Sequence, residues 1–379
     1  MKVLCTTTSG AGHWVPLVPV ARALLDAGHD VTFACPDTAA AAIRQRGFAV
    51  RPFDEVTGRT DEQQELMARA MADGDQALAE RAIAMGFGLL SPRAAVPRLE
   101  QTIADVAPDL VVRDPAEFGG MVLAERHGIR TVAAAGGLQS AVAYFCGLVD
   151  EHVQRLRREL DVRPRGSVLS DELMLTATPA SFDVPGDPTL PVLRYRVPLP
   201  STPLPTGEPP LVYATLGTAV MQEPRGRAVL DAILAALAGL DVRAVVTTGV
   251  EVDEADVPAL PDHVEVRAFA DHRRIIPEAR AVVTHGGAGT VQDALLMGRP
   301  MIVLPQFADQ FHNAQRVAEL GLGVSLVGEE QTSERIAAAL TRVRAGTYDA
   351  AVRRLASEAQ AMPGLEEAVP RLEALAACR

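Results

Sequence analysis

The stretch AVVTHGGAGTVQDALLMGRPMIVLPQFADQFHNAQRVAELGLG, residues 281–323, decides the fold. It opens with an apolar run at residues 281–284 and passes through a glycine-rich turn at 285–290. A helical stretch follows, and a second apolar run occupies residues 301–304. Strands that are apolar on both faces, with helices as crossovers, are typical of parallel sheets covered by helices. The stretch therefore predicts strand, turn, helix and strand of a parallel α/β domain.

Apolar runs of strand length recur along the rest of the chain, with helical segments between them. One such segment places Leu17, Val20, Ala21 and Leu24 at the spacing of a helix face. The further predicted strands are residues 2–8, 31–34, 109–112, 131–135, 211–215 and 243–247. This alternation predicts two Rossmann-like, doubly wound α/β domains, whose ligands favour the carboxyl ends of the strands.

A proline-rich segment at residues 198–210 separates the two sets of strands, and six of its residues are proline. Such a segment forms neither a helix nor an inner strand of a sheet. It is extended and stiff, as a linker between two compact bodies should be. We therefore predict a first domain at residues 1–197 and a second at 211–360, facing each other across a cleft.

Composition and charge exclude several classes of protein. The chain has 379 residues, of which 48% are hydrophobic, and its formal net charge is −12. This charge argues against nucleic acid or an anionic membrane as a partner. The four cysteines are far apart, which argues against a zinc site or a disulfide framework. Without a signal peptide or an apolar run of about 18 residues, the chain is predicted to be cytoplasmic.

The glycine-rich turn after the strand at 281–284 is the strongest candidate site. A turn between a strand and a helix directs backbone N–H groups at an anion, and the helix dipole favours negative charge. A simple tight turn with a capping threonine is the alternative interpretation. The residues of the candidate site are His285, Gly286, Gly287, Ala288, Gly289 and Thr290.

Two further polar positions follow the turn. Asp293 lies one or two turns into the next helix, where a carboxylate can accept from ribose hydroxyls. Asp309 and Gln310 follow the apolar run at 301–304 and offer both acceptors and donors to vicinal sugar hydroxyls. As an alternative, this pair caps a helix that begins near Phe311.

The stretch at 281–323 resembles the donor-binding signature of the inverting family 1 glycosyltransferases of the GT-B fold, particularly the bacterial enzymes that modify natural products. The resemblance implies that His285 and the glycine turn bind the donor diphosphate. It also implies that Asp293 binds ribose and that Asp309 and Gln310 hold sugar hydroxyls. Where plant relatives have a tryptophan segment around the nucleobase, this chain has Phe269 and its neighbours, which leaves uracil and thymine both open.

The N-terminal half is similar to the opening pattern of the same family. The stretch SGAGHWVPLVP, residues 9–19, contains His13, which the resemblance makes the catalytic base, while Gly10 and Gly12 are assigned to the donor site. The resemblance also makes Asp114 the partner of that base. A strand-end aspartate that caps the next helix is the alternative that the sequence leaves open. Thr218 is assigned to the leaving diphosphate, or is a turn hydroxyl. A helix at residues 361–379 is expected to pack back onto the first domain, as in relatives.

The predicted activity is transfer of a sugar, such as a deoxysugar, from a dTDP- or UDP-sugar to a hydroxyl group of a small natural product, with inversion and without a metal or other cofactor. The one Asp-x-Asp, at residues 73–75, follows a helical stretch and is predicted to be a solvated helix end. Three alternatives stay open: a C-glycosyltransferase acting on an aromatic acceptor, a nucleotide-sugar epimerase, and a non-catalytic auxiliary protein of the same fold. Monomer and homodimer are both compatible with the sequence.

Overall fold

A computed structural model describes the chain except residues 55–59, 74–75, 170–171, 185–189, 198–203, 218–219, 223–224, 251–258 and 378–379. It divides the chain into two compact units. Unit 1 comprises Met1–Ala177, Val184–Val197 and Pro363–Arg379, and unit 2 comprises Thr178–Asp183 and Pro198–Met362.

Unit 1 contains a parallel sheet of seven strands in the order β3-β2-β1-β4-β5-β6-β7. A π-helical turn, Gly86–Leu90, lies between the helices at Gln76–Met85 and Ser91–Val106. The elements in chain order are β1 (Lys2–Thr6), α1 (Ala11–Trp14), α2 (Leu17–Asp26), β2 (Asp30–Pro36), α3 (Asp37–Arg44), β3 (Ala49–Phe53), α4 (Asp61–Asp73), α5 (Gln76–Met85), α6 (Ser91–Val106), β4 (Leu110–Arg113), α7 (Gly119–Arg126), β5 (Arg130–Ala135), α8 (Gln139–Glu159), β6 (Leu173–Thr176) and β7 (Val192–Arg194).

Unit 2 contains a parallel sheet of six strands in the order β10-β9-β8-β11-β12-β13. Its elements are β8 (Leu211–Thr215), α9 (Gly226–Ala238), β9 (Arg243–Thr247), β10 (Val264–Arg267), α10 (His272–Ile275), β11 (Ala281–Thr284), α11 (Ala288–Leu296), β12 (Met301–Val303), α12 (Gln310–Glu319), β13 (Gly323–Ser325), α13 (Ser333–Arg344) and α14 (Asp349–Ala361). The last helix, α15 (Leu365–Ala377), belongs to unit 1.

Neighbouring strands at the centre of each sheet determine where the polar turns meet. In unit 1, β1 pairs with β4 so that Thr6 lies opposite Arg113. In unit 2, β8 pairs with β11 so that Thr215 lies opposite Thr284. Because parallel strands end at the same edge of a sheet, the turns that follow each pair lie side by side. The apolar residues of these strands are buried on both faces of the sheets.

The unit boundaries differ from the predicted domains most clearly at residues 178–183. We predicted a first domain that continues to residue 197, but Thr178–Asp183 lies with unit 2. Arg316 donates from Nε to the carbonyl of Phe182 and from Nη2 to that of Ser181, both at 2.8 Å. The backbone amide of Ser181 also donates to Glu358. Such long-range side-chain contacts leave no local pattern in the sequence.

The C-terminal helix α15 packs against α2 within unit 1, and His29 Nε2 lies 3.0 Å from Glu373 Oε1.

Residues 198–203 of the predicted linker lie outside the described residues. Within the part of the chain that the structure describes, no helix has the length and apolar character needed to span a bilayer.

Candidate active site

His13 in unit 1 is positioned by the turn that follows β1. Gly10 has a φ of 92°, a left-handed conformation that glycine adopts without strain, and it directs the chain into α1. The amide of His13 donates to the carbonyl of Gly10 at 3.1 Å. The His13 side chain keeps 33% of its surface exposed. The short helix therefore presents an imidazole at the carboxyl end of the central strand.

Asp114 holds this imidazole. Its Oδ2 lies 2.9 Å from His13 Nδ1 and accepts a hydrogen bond from Thr8 Oγ1 at 3.0 Å. The Asp114 side chain is buried, and its backbone amide donates to the carbonyl of Thr6 at 2.9 Å. A proton on Nδ1 directed at the carboxylate leaves the ring's lone pair on Nε2. This is the arrangement of an oriented general base.

A row of three phenylalanines begins beside the His13 ring. Phe87, in the π-helical turn, has its ring centroid 5.9 Å from that of His13. Phe145 meets Phe87 edge to face at 5.5 Å and stacks on Phe118 at 6.2 Å. His13 therefore lies beside the half-buried ring of Phe87, which meets the half-buried Phe145, while Phe118 is fully buried. The two half-buried rings suit contact with an apolar molecule.

In unit 2, the turn after β11 is open to an anion. Gly286 has a φ of 91° and Gly287 is the N-cap of α11, with no side-chain capping bond. The amides of the first helical residues, Ala288, Gly289 and Thr290, have no acceptor within their own helix. Together with the positive end of the helix dipole, they form a site for negative charge.

The His285 ring is clamped between two glycines of unit 2. A Cβ atom placed on Gly217 would lie 2.6 Å from the ring, and one on Gly287 would lie 2.4 Å from Nε2. Nδ1 of His285 is buried without a hydrogen-bond partner. Burial lowers the pKa of His285 to about 4, against a small opposing effect of the Thr215 backbone. The imidazole beside the anion site is therefore neutral at neutral pH.

Asp293 is buried and contacts the side chains of His272 and Arg273. Its Oδ2 lies 2.8 Å from His272 Nε2 and accepts from Arg273 Nε at 2.9 Å. It therefore fastens α10 to α11, a role that the sequence reading did not include. Phe269, two residues before the N-cap of α10, is 63% exposed.

The structure places Asp309 and Gln310 beside the glycine turn through Asn313. Its Nδ2 donates to the Gly286 carbonyl at 2.9 Å and to Asp309 Oδ2 at 3.1 Å. Helix α12 begins at Gln310, next to Phe311, and Asp309 is its N-cap residue, without a side-chain capping bond. The pair therefore stands at the start of the helix, as the alternative interpretation predicted, and its contact with sugar hydroxyls stays a prediction.

Gln310 is buried, and its side chain is occupied in part by the loop before α12. Its Oε1 accepts from the backbone amides of Gln306 at 2.9 Å and Phe307 at 3.2 Å. The loop is thus held in shape by the residue that follows it.

Two predictions fall on residues outside the described part of the chain. They concern Thr218 and the Asp-x-Asp at residues 73–75. Helix α4 ends at Asp73, while Gly74 and Asp75 lie outside the description. In the described ranges, no group of three or more His, Cys, Asp and Glu side chains is arranged to hold a metal ion.

Sequence reasoning missed the residues that support the two turns. Arg113 and Glu172 form a buried ion pair next to Asp114, and Gly217 borders the ring of His285. An arginine at the end of an otherwise apolar strand was a usable signal, since a buried guanidinium requires a carboxylate partner. The partner itself, far away in the sequence, carried no signal.

Comparisons with known proteins find sequence relatives along the whole chain. A family model described as "Erythromycin biosynthesis protein CIII-like, C-terminal domain" matches residues 231–375. Erythronolide mycarosyltransferase of Saccharopolyspora erythraea is 30% identical, over 99% of each chain. The 10-deoxymethynolide desosaminyltransferase of Streptomyces venezuelae is also 30% identical, over 100% of this chain and 97% of its own.

Solved structures share the fold. The spinosyn rhamnosyltransferase SpnG complexed with thymidine diphosphate matches with a TM-score of 0.82 and 22% identity, covering 98% of this chain and 100% of SpnG. SpnG complexed with spinosyn aglycone gives the same values. At this identity the likeness establishes the fold, which is the predicted GT-B fold of two parallel α/β domains.

Proposed function

Because the chain belongs to the antibiotic-pathway glycosyltransferases, the family of the erythronolide mycarosyltransferase, we propose that it transfers a deoxysugar from a nucleoside diphosphate to a hydroxyl group of a small natural product. The names of the relatives support a deoxysugar. The thymidine diphosphate complex of SpnG supports a dTDP-sugar ahead of a UDP-sugar.

The observation that carries the proposal is the 2.9 Å contact between His13 Nδ1 and Asp114 Oδ2. In the proposed reaction, His13 Nε2 takes the proton of the acceptor hydroxyl as its oxygen attacks the anomeric carbon. Asp114 stabilises the imidazolium that forms, and the hydrogen bond from Thr8 keeps the carboxylate in place. The half-buried rings of Phe87 and Phe145 suit an apolar acceptor.

The diphosphate leaves as the new bond forms. The bond between the anomeric carbon and the diphosphate oxygen breaks, and the electron pair stays on the diphosphate. We assign its binding to the amides at the start of α11, with His285 and Gly286 to Thr290 around it. Donors fixed in place before the reaction stabilise developing charge without reorganisation. In this proposal they supply the stabilisation that a metal ion gives in metal-dependent transferases.

Attack opposite the leaving group in one displacement inverts the anomeric carbon. Gly10 and Gly12 shape the turn that carries the base. Phe269 is proposed to face the nucleobase, and Asp309 and Gln310 are proposed to face the sugar. Oδ2 of Asp293 already accepts a hydrogen bond from Arg273. Asp293 is therefore proposed to act on the ribose indirectly, by holding α10 in place.

The test is incubation of the protein with dTDP- and UDP-deoxysugars and a panel of alcohol and phenol acceptors, read by mass spectrometry. We expect free nucleoside diphosphate and glycosylated product in equal amounts, unchanged by excess EDTA. The matched control is the His13→Ala variant. Sugar isomerisation without transfer would indicate an epimerase. Product resistant to acid hydrolysis would indicate a carbon linkage, and no turnover of any donor would favour the auxiliary protein.

A further inference from the structure

Arg113 is a fully buried cation at the end of β4, directly before Asp114. Glu172, just ahead of β6, binds it through two parallel hydrogen bonds. Arg113 Nε donates to Oε1 at 2.8 Å, and Nη2 donates to Oε2 at 2.6 Å. This bidentate arrangement fixes the plane of the guanidinium and leaves Nη1 directed at the loop after β4.

Nη1 of Arg113 gathers three backbone carbonyls of that loop. It donates to the carbonyl of Asp114 at 3.2 Å, to that of Pro115 at 3.0 Å and to that of Glu117 at 3.2 Å. The loop is tightened further by a turn, in which the amide of Glu117 donates to the Asp114 carbonyl at 3.0 Å. The backbone on both sides of the Asp114 side chain is therefore fixed by one guanidinium.

The same guanidinium also reaches His13 through the phenylalanines. Its carbon lies 5.7 Å from the ring centroid of Phe118. Phe118 stacks on Phe145, which meets Phe87, the ring beside His13. Arg113 thus contacts the backbone that carries Asp114 and the first of three successive rings, the last of which lies beside His13.

The Arg113 guanidinium stays positively charged despite its burial. Burial acts to lower the pKa of Arg113, but the charge of Glu172 and its hydrogen bonds outweigh burial and raise the pKa above the usual value. A buried ion pair contributes little net stability, because the cost of removing two charges from water offsets their attraction. A role in stability alone therefore accounts poorly for this pair.

We propose that Arg113, held by Glu172, is a positioning residue that sets the contact between Asp114 and His13. This proposal rests on the proposed function only in taking His13 as the base. The carboxyl groups on the loop near the base are Asp114 and the buried Glu117, and Thr8 adds a hydroxyl.

The test compares two glutamate-to-glutamine variants within unit 1. Glu172→Gln replaces one acceptor oxygen facing Arg113 with an amide N–H group. The matched control is Glu125→Gln, since Glu125 binds the buried Arg157 in the same bidentate manner, at 2.9 and 2.8 Å, and its other ion pair is with Arg165, at 3.7 Å. We expect both variants to lower the melting temperature by similar amounts.

Only Glu172→Gln is expected to change the base. Because an ionised carboxylate at hydrogen-bond distance favours imidazolium, a displaced Asp114 lowers the midpoint of the His13 titration. We expect a decrease of about half a pH unit or more in histidine NMR spectra of the free protein, with the His13 signal assigned from His13→Ala. With substrates, kcat should fall about tenfold or more while the donor KM changes less than about twofold.

A second variant covers the case in which Glu172→Gln fails to fold. Arg113→Lys keeps the charge but has three donors in place of five, so it cannot make all the contacts of Arg113. We expect it to shift the His13 titration in the same direction. An unshifted titration in a folded variant, or an equal shift in Glu125→Gln, would overturn the proposal. Absence of transferase activity in the wild type would overturn the proposed function instead, since the NMR titration needs no substrate.

Discussion

The clamped imidazole of His285 leads to a prediction about acid stability. Its pKa falls from 6.5 to about 4 in the folded protein because burial penalises the charged ring. Between these two pH values His285 is protonated in the unfolded chain but not in the folded chain. The free energy of unfolding therefore decreases as the pH falls below 6.5, and the full loss is reached near pH 4.

The size of the loss follows from the same two values. At pH 4.5 the unfolded ring is almost fully protonated and the folded ring about one quarter, which gives a loss of about 2.5 kcal/mol relative to pH 7. His285→Asn replaces the imidazole with an amide that does not titrate. The cost of the smaller side chain is the same at both pH values, so it cancels when the pH dependence of the two proteins is compared.

The assay is hydrogen exchange with mass spectrometry on peptides of β11, because Trp14, the only tryptophan, reports on unit 1. We expect the opening free energy of β11 to fall by about 2.5 kcal/mol more in the wild type than in His285→Asn between pH 7 and pH 4.5. Equal losses in the two proteins would refute the reasoning, since the ring would then accept a proton in place.

Three further predictions concern single side chains. His13→Ala should reduce turnover by about 100-fold or more with a hydroxyl acceptor, and near-normal rates in steady-state assays would remove it from the mechanism. Gly287→Ala should displace the ring of His285 and weaken nucleoside diphosphate binding in calorimetry at least tenfold. Its stability control is Gly289→Ala, where a Cβ has open space, and a greater loss of melting temperature in that control would count against the clamp. Asp293→Asn should lower the stability of unit 2 by about 1 kcal/mol, since its partners His272 and Arg273 are half exposed, and unchanged urea denaturation would contradict the anchoring role.

The sequence predicted the parts of the fold that rest on local periodicity. The buried residues of β1 and β4 are apolar except Thr6 and Arg113 at the strand ends, and the face of α2 that contains Leu17 and Leu24 is buried as its spacing indicated. The glycine turn after β11 was equally accessible, since a strand, a turn and a helix follow each other without interruption.

Other elements carried no such signal. Strand β3 lies at the edge of its sheet with mostly exposed side chains and a proline, so its sequence lacks a strand pattern. The predicted strand at residues 2–8 ends at Thr6, where the chain leaves the sheet and turns into the short helix that contains His13.

The supporting contacts of the candidate site depend on tertiary pairing. Glu172 lies 59 positions after Arg113, and Gly217 meets His285 only because β8 and β11 are neighbours in the sheet. The contacts of Asp293 with His272 and Arg273 likewise require α10 and α11 to pack together. Residue type and spacing indicated which side chains could do chemistry, while the contacts that hold them needed the folded chain.

The stereochemistry of transfer tests the central claim most directly. Proton NMR of the product formed from a dTDP-deoxysugar and an alcohol acceptor reads the configuration of the anomeric carbon. A single displacement assisted by His13 predicts the configuration opposite to that of the donor, with one dTDP released for each sugar transferred. A product with the donor's configuration would contradict the account, because it requires two displacements at that carbon.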